Sequence, residues 1–315
     1  MKYTLGIDIG GTKCAVVLGK SEMPANVTDV IVDKIKIATP RGSVQAALDD
    51  LVFAAEDLLE RNGARFSDLV GIGVSCGGPL DSKKGVILSP PNLPGWDDVH
   101  ITELFSKHFG VPCVLQNDAN ACALAEWKYG AGRGCSNMIF LTFGTGMGAG
   151  LILNGQLYTG ACDLAGEVGH IRLNATGPEG YGKAGSFEGY CSGGGIVKLA
   201  ELLTDKEFSV LDDQETITAQ SVAQAAKNGD KVAKEVYDVS AIRLGQGLSI
   251  LIDILNPEAI VIGSIYTRDT ALFQDIVRDV ISKEALPGAA KACKILPAAF
   301  DEHLGDIAAL SLVME

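Results

Sequence analysis

The 315-residue chain is short of several things, and each shortage narrows what it can be. No apolar run reaches the length needed to cross a bilayer, and Met1-Lys2 leads straight into an alternating stretch with no apolar signal region behind it. A cytoplasmic protein with no membrane partner is expected. Basic residues are outnumbered, 26 Lys and Arg against 39 Asp and Glu, and the net charge of −13 leaves no basic footprint for nucleic acid. The acidic residues are scattered rather than blocked, so any bound phosphate must be held by main-chain N–H groups and a metal ion. Eight cysteines are present without one C-x-x-C pair. They lie mostly inside apolar runs and read as small, reduced core residues.

Apolar residues make up 47% of the chain, enough at this length for two domains with full cores. Two glycine-threonine turns then stand out, Asp8-Ile9-Gly10-Gly11-Thr12-Lys13 and Phe143-Gly144-Thr145-Gly146-Met147-Gly148. Such a turn lets backbone N–H groups converge on an anion with no Cβ in the way. In helix-based phosphate loops the glycines open a helix. Here Tyr3, Leu5, Ile7 and Ile9 alternate into the first turn and Cys14 to Leu18 leaves it as a second strand. Met138 to Leu141 and Ala149 to Leu153 frame the second turn in the same way. Both turns are therefore β-hairpins. One alone would be an ordinary turn; two in matching places point to a nucleotide phosphate chain gripped from both sides.

The order of elements repeats with them. The first half reads as strands at 3–9, 14–18 and 27–38, a helix from Val44 ended by Asn62-Gly63, a buried strand Val70–Val74, a helix 101–109, a strand 112–115 and a helix 119–129. The second half reads as strands 138–143 and 148–153, then a polar, glycine-rich stretch 161–195. Helices 193–204, 218–227 and 231–255, a strand 259–262, a helix 270–283, a strand 294–298 and a helix 306–313 complete it. Strands followed by helix and strand in alternation, twice over, predict two related α/β domains with a cleft between them. The expected division is 1–118 and 119–302, with the segment 303–315 returning to the first domain.

The two turns, together with Asn117-Asp118-Ala119-Asn120-Ala121 and Gly166-Glu167-Val168-Gly169-His170, resemble the ROK sugar kinases in order along essentially the whole chain. The resemblance implies the actin-like ATPase fold: two ribonuclease H-like domains, each a mixed sheet flanked by helices. It also implies ATP and Mg²⁺ as cofactors, a sugar as partner and a homodimer. Carried over residue by residue, Asp8 organises Mg²⁺ through water, Gly10, Gly11, Thr12 and Lys13 form the first phosphate turn, and Gly144, Thr145 and Gly146 form the second. Gly263 falls where the family has an adenosine-binding glycine pair, with Ser264 replacing the second glycine. Asn92, Asn117, Asp118, Glu167, His170 and Glu188 would bind the sugar, and Gly78 would lie in a close-approach loop, Gly77-Gly78-Pro79.

Asp118 is the candidate base for a sugar hydroxyl. Read by position alone it is a helix N-cap, Asn92 a turn residue among prolines, Glu167 a solvated loop charge and His170 a satisfied loop or core histidine. The resemblance turns all four toward function.

One departure is plain. In most of the family this histidine binds zinc with three cysteines from a C-x-C-G-x-x-G-C-x-E run, whereas here the stretch is Glu179-Gly180-Tyr181-Gly182-Lys183-Ala184-Gly185-Ser186-Phe187-Glu188. A structural zinc site wants four closed ligands, so no zinc is expected, and hydrogen bonds from Tyr181 or Ser186, or subunit contacts, would order the loop. The expected activity is ATP-dependent phosphorylation of a hexose, glucose or a close relative, at the C6 hydroxyl with Asp118 as general base. A kinase for N-acetylmannosamine, N-acetylglucosamine or a β-glucoside is the alternative, and a non-catalytic sugar sensor is the alternative of another class. The family's repressors carry an added N-terminal helix-turn-helix, whereas this sequence opens on the first strand and has no basic patch.

Overall fold

Two five-stranded sheets with the same topology form the framework of the computed structural model, which describes residues 1–39, 42–204, 209–211 and 216–314. In the first sheet β1 (Tyr3–Ile9), β2 (Lys13–Lys20) and β3 (Ile31–Ala38) form an antiparallel meander. On the other side of β1 lie β4 (Leu69–Cys76) and then, beyond a small hairpin of β5 (Leu80–Asp81) and β6 (Val86–Ile87), β7 (Cys113–Asn117), both parallel to it. The second sheet repeats the plan. An antiparallel meander of β8 (Met138–Phe143), β9 (Met147–Leu153) and β10 (Gln156–Tyr158) continues, past the short hairpin β11 (Glu179–Gly180) and β12 (Lys183–Ala184), into the parallel strands β13 (Ala259–Ile262) and β14 (Lys294–Pro297). Each glycine-threonine turn joins the first two strands of its sheet. The repeat read from the order of elements is thus a repeat of strand pairing.

The helices are α1 (Val44–Arg61), α2 (Ile101–Phe109), α3 (Asp118–Tyr129), α4 (Phe187–Tyr190), α5 (Gly193–Thr204), α6 (Ala219–Lys227), α7 (Lys231–Leu255), α8 (Ile265–Arg268), α9 (Thr270–Glu284), α10 (Pro287–Ala292) and α11 (Leu304–Ser311). Their ends follow local chemistry. Ser43 caps α1 by accepting the Ala46 N–H at 3.2 Å, Asp230 caps α7 through Ala233 N–H at 2.9 Å, and α7 stops at Asn256, whose φ of 44° ends the helical path.

Three differences from the sequence reading have local causes. Residues Val27–Val30 are a 3₁₀ turn rather than the start of β3, because Asn26 and Asp29 close it through Asp29 N–H to Asn26 O and Asn26 Nδ2 to Asp29 Oδ1. Pro287 opens α10, a helix too short for periodicity to signal. The polar stretch 161–195 contains the β11–β12 hairpin and α4, which periodicity does not reveal either.

α3 and α11 lie where the sheets meet. α11 packs on β1, β2 and β4 and against α3, which in turn packs on β8 and β9. The small side chains of α3 make this possible: Ala119, Ala121, Ala123 and Ala125 are all buried. β4 does the same from the sheet side, since a Cβ on Gly73 would stand 1.9 Å from the Ala309 carbonyl oxygen. Ile307 and Leu310 of α11 are fully buried there, each contributing about 1.5–3 kcal/mol relative to exposure. Glu126, also buried, closes the joint by accepting the N–H groups of Ala131, Ala299 and Phe300 at 2.8, 2.8 and 3.3 Å. Among the cysteines, Cys14, Cys76 and Cys191 are buried, but Cys162 is exposed on a loop and departs from the core reading.

Candidate active site

A cavity of about 810 Å³ opens between the two sheets, and its wall carries the seven residues proposed from sequence for the sugar: Gly78, Asn92, Asn117, Asp118, Glu167, His170 and Glu188. Gly144, Thr145 and Gly146 of the second turn line it too. Strand ends supply most of these groups, as parallel strands do in open α/β sheets. β4 runs out into Gly77-Gly78-Pro79, β7 delivers Asn117 and Asp118, and the β8–β9 turn faces them. The loop behind β10 contributes Glu167 and His170, and α4 contributes Glu188.

At the head of α3 the capping is done by Asn117, not Asp118. Asn117 Oδ1 accepts from Ala119 N–H at 3.0 Å and Asn120 N–H at 3.4 Å. Asp118 Oδ1 takes a second share of the Ala119 N–H at 2.7 Å, which leaves Oδ2 to the cavity. Its side chain is open to cleft solvent, yet protein surrounds the pocket floor. Burial raises the carboxyl above its usual range, and the Ala119 N–H opposes the rise. Glu167 is raised as well, by burial first, with His170 working against it and Asp118 and Glu188 adding to it.

Asp8 is a third raised carboxylate near the cavity, lifted to about 6 by burial, then by Asp118 and Asp306; Lys34 and a hydrogen bond from Ser75 pull it back. Lys34 itself is engaged by Asp306 at the start of α11, with Nζ 2.6 Å from Oδ2. The excess of negative charge around Asp8 is what a divalent cation relieves, and Mg²⁺ in kinases commonly takes one or two carboxylates plus substrate phosphate. Asp8 therefore fits the role of holding Mg²⁺ through water. No described group of three or more His, Cys, Asp or Glu side chains is gathered that could hold a metal ion unaided.

The first turn stands beside the cavity rather than in its wall. A Cβ on Gly11 would lie 2.6 Å from Asn92 Cβ and 2.7 Å from its carbonyl oxygen, so the turn abuts the segment that presents Asn92. Gly10 N–H closes it on the Lys13 carbonyl, and Thr39 Oγ1 donates to Gly10 O at 2.6 Å. Thr12 and Lys13 are exposed at the tip. The second turn is braced from three sides. Glu188 Oε2 accepts Met147 N–H at 3.0 Å, Thr142 Oγ1 accepts Gly148 N–H at 2.9 Å, and Gly193 N–H reaches Gly144 O at 2.7 Å.

Through Gly144 and Thr145 the cavity continues into a neighbouring one of about 1020 Å³. Gly193, Gly194, Thr218, Lys227, Ser264 and Arg268 are in its wall. Gly263 is not; it is buried under the Phe140 ring, and Ser264 takes the place at the surface. Sequence reasoning passed over Gly193, Gly194, Thr218 and Lys227. The run Gly193-Gly194-Gly195 at the head of α5 was a signal for the two glycines alone. A further concavity between α1 and α2 contains none of the candidate residues.

The stretch after His170 does not fit zinc, since a histidine and a carboxylate leave a four-ligand site half empty. The loop has other ties. Ser186 Oγ accepts Gly189 N–H and donates to Gly180 O, Lys183 Nζ donates to His170 O at 2.7 Å, and Tyr190 OH donates to Thr176 O at 2.9 Å. Tyr181 makes no hydrogen bond there; its ring meets His170 edge-on, centroids 4.7 Å apart.

No described helix is long and apolar enough to cross a membrane. The sequence profile of the ROK family matches residues 4–315. A glucokinase of Halalkalibacterium halodurans is 32% identical over 97% of this chain and 93% of its own length. A xylose repressor of Caldicellulosiruptor bescii is 29% identical over 89% of this chain and 70% of its own. The crystal structure of a ROK family glucokinase from Streptomyces griseus, in complex with glucose and AMPPNP, superposes with a TM-score of 0.79 at 30% identity, covering 98% of each chain. The fold is accordingly the actin-like ATPase fold of such structures. With nearly every residue inside the family profile and a relative this similar along almost its whole length, the chain belongs to the ROK family.

Proposed function

We propose that the protein is a sugar kinase that transfers the γ-phosphoryl group of ATP to a hexose, glucose or a close relative, at the C6 hydroxyl. The observation that carries this reading is Asp118: its free carboxylate oxygen lies in the same cavity as six other polar or close-approach positions suited to a sugar and as the second glycine turn. The glucokinase relatives support the sugar and the nucleotide.

In this reading Asn92, Asn117, Glu167, His170 and Glu188 hold the ring hydroxyls, and a sugar missing one leaves a buried polar group unpaired. Asp118 accepts the proton of the attacking hydroxyl. Phosphoryl transfer has a loose transition state, so positioning and charge neutralisation do most of the work and a base beside a helix N-terminus suffices. The two turns hold the triphosphate through main-chain N–H groups, and Mg²⁺, when bound near Asp8, neutralises charge on the phosphates. A cytoplasmic homodimer completes the proposal, as do domains divided near residue 118 with the C-terminal helix shared.

A coupled assay of ADP formation across hexoses and N-acetylated amino sugars tests it. Sugar-dependent ADP release with glucose or mannose supports the reading. Preference for N-acetylmannosamine or N-acetylglucosamine moves the acceptor, and sugar binding without ADP release puts the chain with the repressor relatives as a sensor.

A further inference from the structure

Ser264 has a backbone that serine does not choose. Its φ of 55° and ψ of −114° lie where glycine is at ease and a Cβ is crowded. The frame around it enforces the conformation. Gly263 N–H is bonded to Leu141 O at 3.0 Å, Thr267 Oγ1 to Ile262 O at 3.0 Å, and Arg268 N–H to Ser264 O at 3.2 Å. Strain of this kind persists when the surroundings over-determine it, and it gathers at ligand sites. Glycine would remove the strain, so the side chain has to supply something in return.

What it supplies is a hydroxyl at a particular place. Ser264 lies in the wall of the larger cavity, and its Oγ is 3.7 Å from the point where a Cβ of Gly144 would stand. Gly144 belongs to both cavities, so Oγ faces the neck between them. The side chain caps no helix and has no hydrogen-bond partner among the described residues. A nucleotide with its terminal phosphates at Gly144-Thr145-Gly146 and its base among the residues of the larger cavity must thread that neck. The part that crosses it is the junction of ribose and α-phosphate.

We propose that Ser264 is a nucleotide-binding residue whose hydroxyl donates a hydrogen bond to an α-phosphate oxygen, the strained backbone being kept for that contact. A hydroxyl meeting an anionic oxygen makes a charge-assisted bond, stronger than one between neutral groups. The inference rests on the kinase reading and adds to it a side-chain contact that the second glycine of the family's pair cannot make.

Calorimetric titration of the full-length protein with ADP, AMP and adenosine, beside thermal melts without ligand, tests it on wild type, Ser264→Ala and Ser264→Gly. Both variants are expected to bind ADP and AMP about tenfold more weakly, the effect of losing a hydrogen bond to a charged group, with adenosine unchanged. Ser264→Gly is expected to melt higher than wild type and Ser264→Ala is not, which separates relief of strain from loss of the hydroxyl. Unchanged ADP affinity in both variants overturns the inference, as does an equal loss with adenosine, which would place the contact on the nucleoside. Wild-type protein that binds no adenine nucleotide overturns the kinase reading itself.

Discussion

Glu188 Oε2 accepts the main-chain N–H of Met147 at 3.0 Å, so a side chain in the wall of the cavity proposed for the sugar is also a brace of the second glycine turn. The same oxygen would lie 2.8 Å from a Cβ on Gly146, so a side chain there would displace the Glu188 carboxylate from the turn. The two halves of the proposed reaction thus share one carboxylate.

That sharing makes Glu188 and Glu167 distinguishable. Glu188→Ala frees the Met147 N–H and is expected to raise the KM for both sugar and ATP, by roughly tenfold for a lost charged hydrogen bond. Glu188→Gln keeps an acceptor oxygen and should spare the ATP KM. Glu167, which holds no part of the turn, should on replacement by Ala raise the sugar KM alone. An ATP KM unmoved by Glu188→Ala would remove the coupling.

Asp118→Asn is expected to lower kcat by roughly 10²-fold or more, the scale of a positioned base, without loss of fold. The fold survives because Asn117 caps α3. Near-wild-type turnover of a folded Asp118→Asn protein would end the assignment.

The pH profile carries the same assignment in another form. A base works when ionised, and Asp118 is held above the ordinary carboxylate value of 3.8. Activity is therefore full above that raised value and lost as pH falls through it, so the acid limb of kcat lies above pH 3.8. Glu167 is raised too, and Asp8 to about 6, which gives three candidate owners of that limb. Glu167→Gln should leave the limb of kcat in place; a limb that vanishes in this variant belongs to Glu167.

Stability depends on another carboxylate. Glu126 is fully buried and accepts three main-chain N–H groups, two of them on the segment leading to α11. Glu126→Ala strands those donors and is expected to cost about 2 kcal/mol or more, with a correspondingly lower Tm. Glu126→Gln, which retains an acceptor, should cost less. Equal stability of the alanine variant and wild type would show the joint between α3 and α11 to be held otherwise.

These residues also mark what the sequence could and could not reveal. The hairpin context of the two turns was legible because each strand is half of an alternating or apolar run, and the 25-residue α7 because its cap and its Asn256 stop are local. That the positions proposed for the sugar would line one cavity was legible only from the set, since singly Asn92 and Glu167 have ordinary readings. Ser264 was visible only as a departure from a glycine pair; its strain is a backbone property. Asn117's capping role was hidden because neighbouring Asn and Asp both suit an N-cap, and only the backbone decides between them. Thr218 and Lys227 join the larger cavity through tertiary packing alone.

The loop after His170 yields the last prediction. Tyr181 is exposed, has φ of 51° and sets its ring edge-on to His170 in the wall of the cavity proposed for the sugar. No metal-ligating cluster gathers around the imidazole among the described residues, and the Tyr181 ring packs against it while Lys183 and Ser186 hold the main chain around it. Tyr181→Ala should therefore raise the sugar KM several-fold, an aromatic contact being worth about 0.5–1.5 kcal/mol, and leave the ATP KM alone. Tyr181→Phe keeps the ring and should behave as wild type, because the hydroxyl makes no bond in the loop. A phenylalanine variant as impaired as the alanine one would move the contribution to the hydroxyl. Stoichiometric zinc in tag-free protein would assign the restraint of His170 to a metal instead.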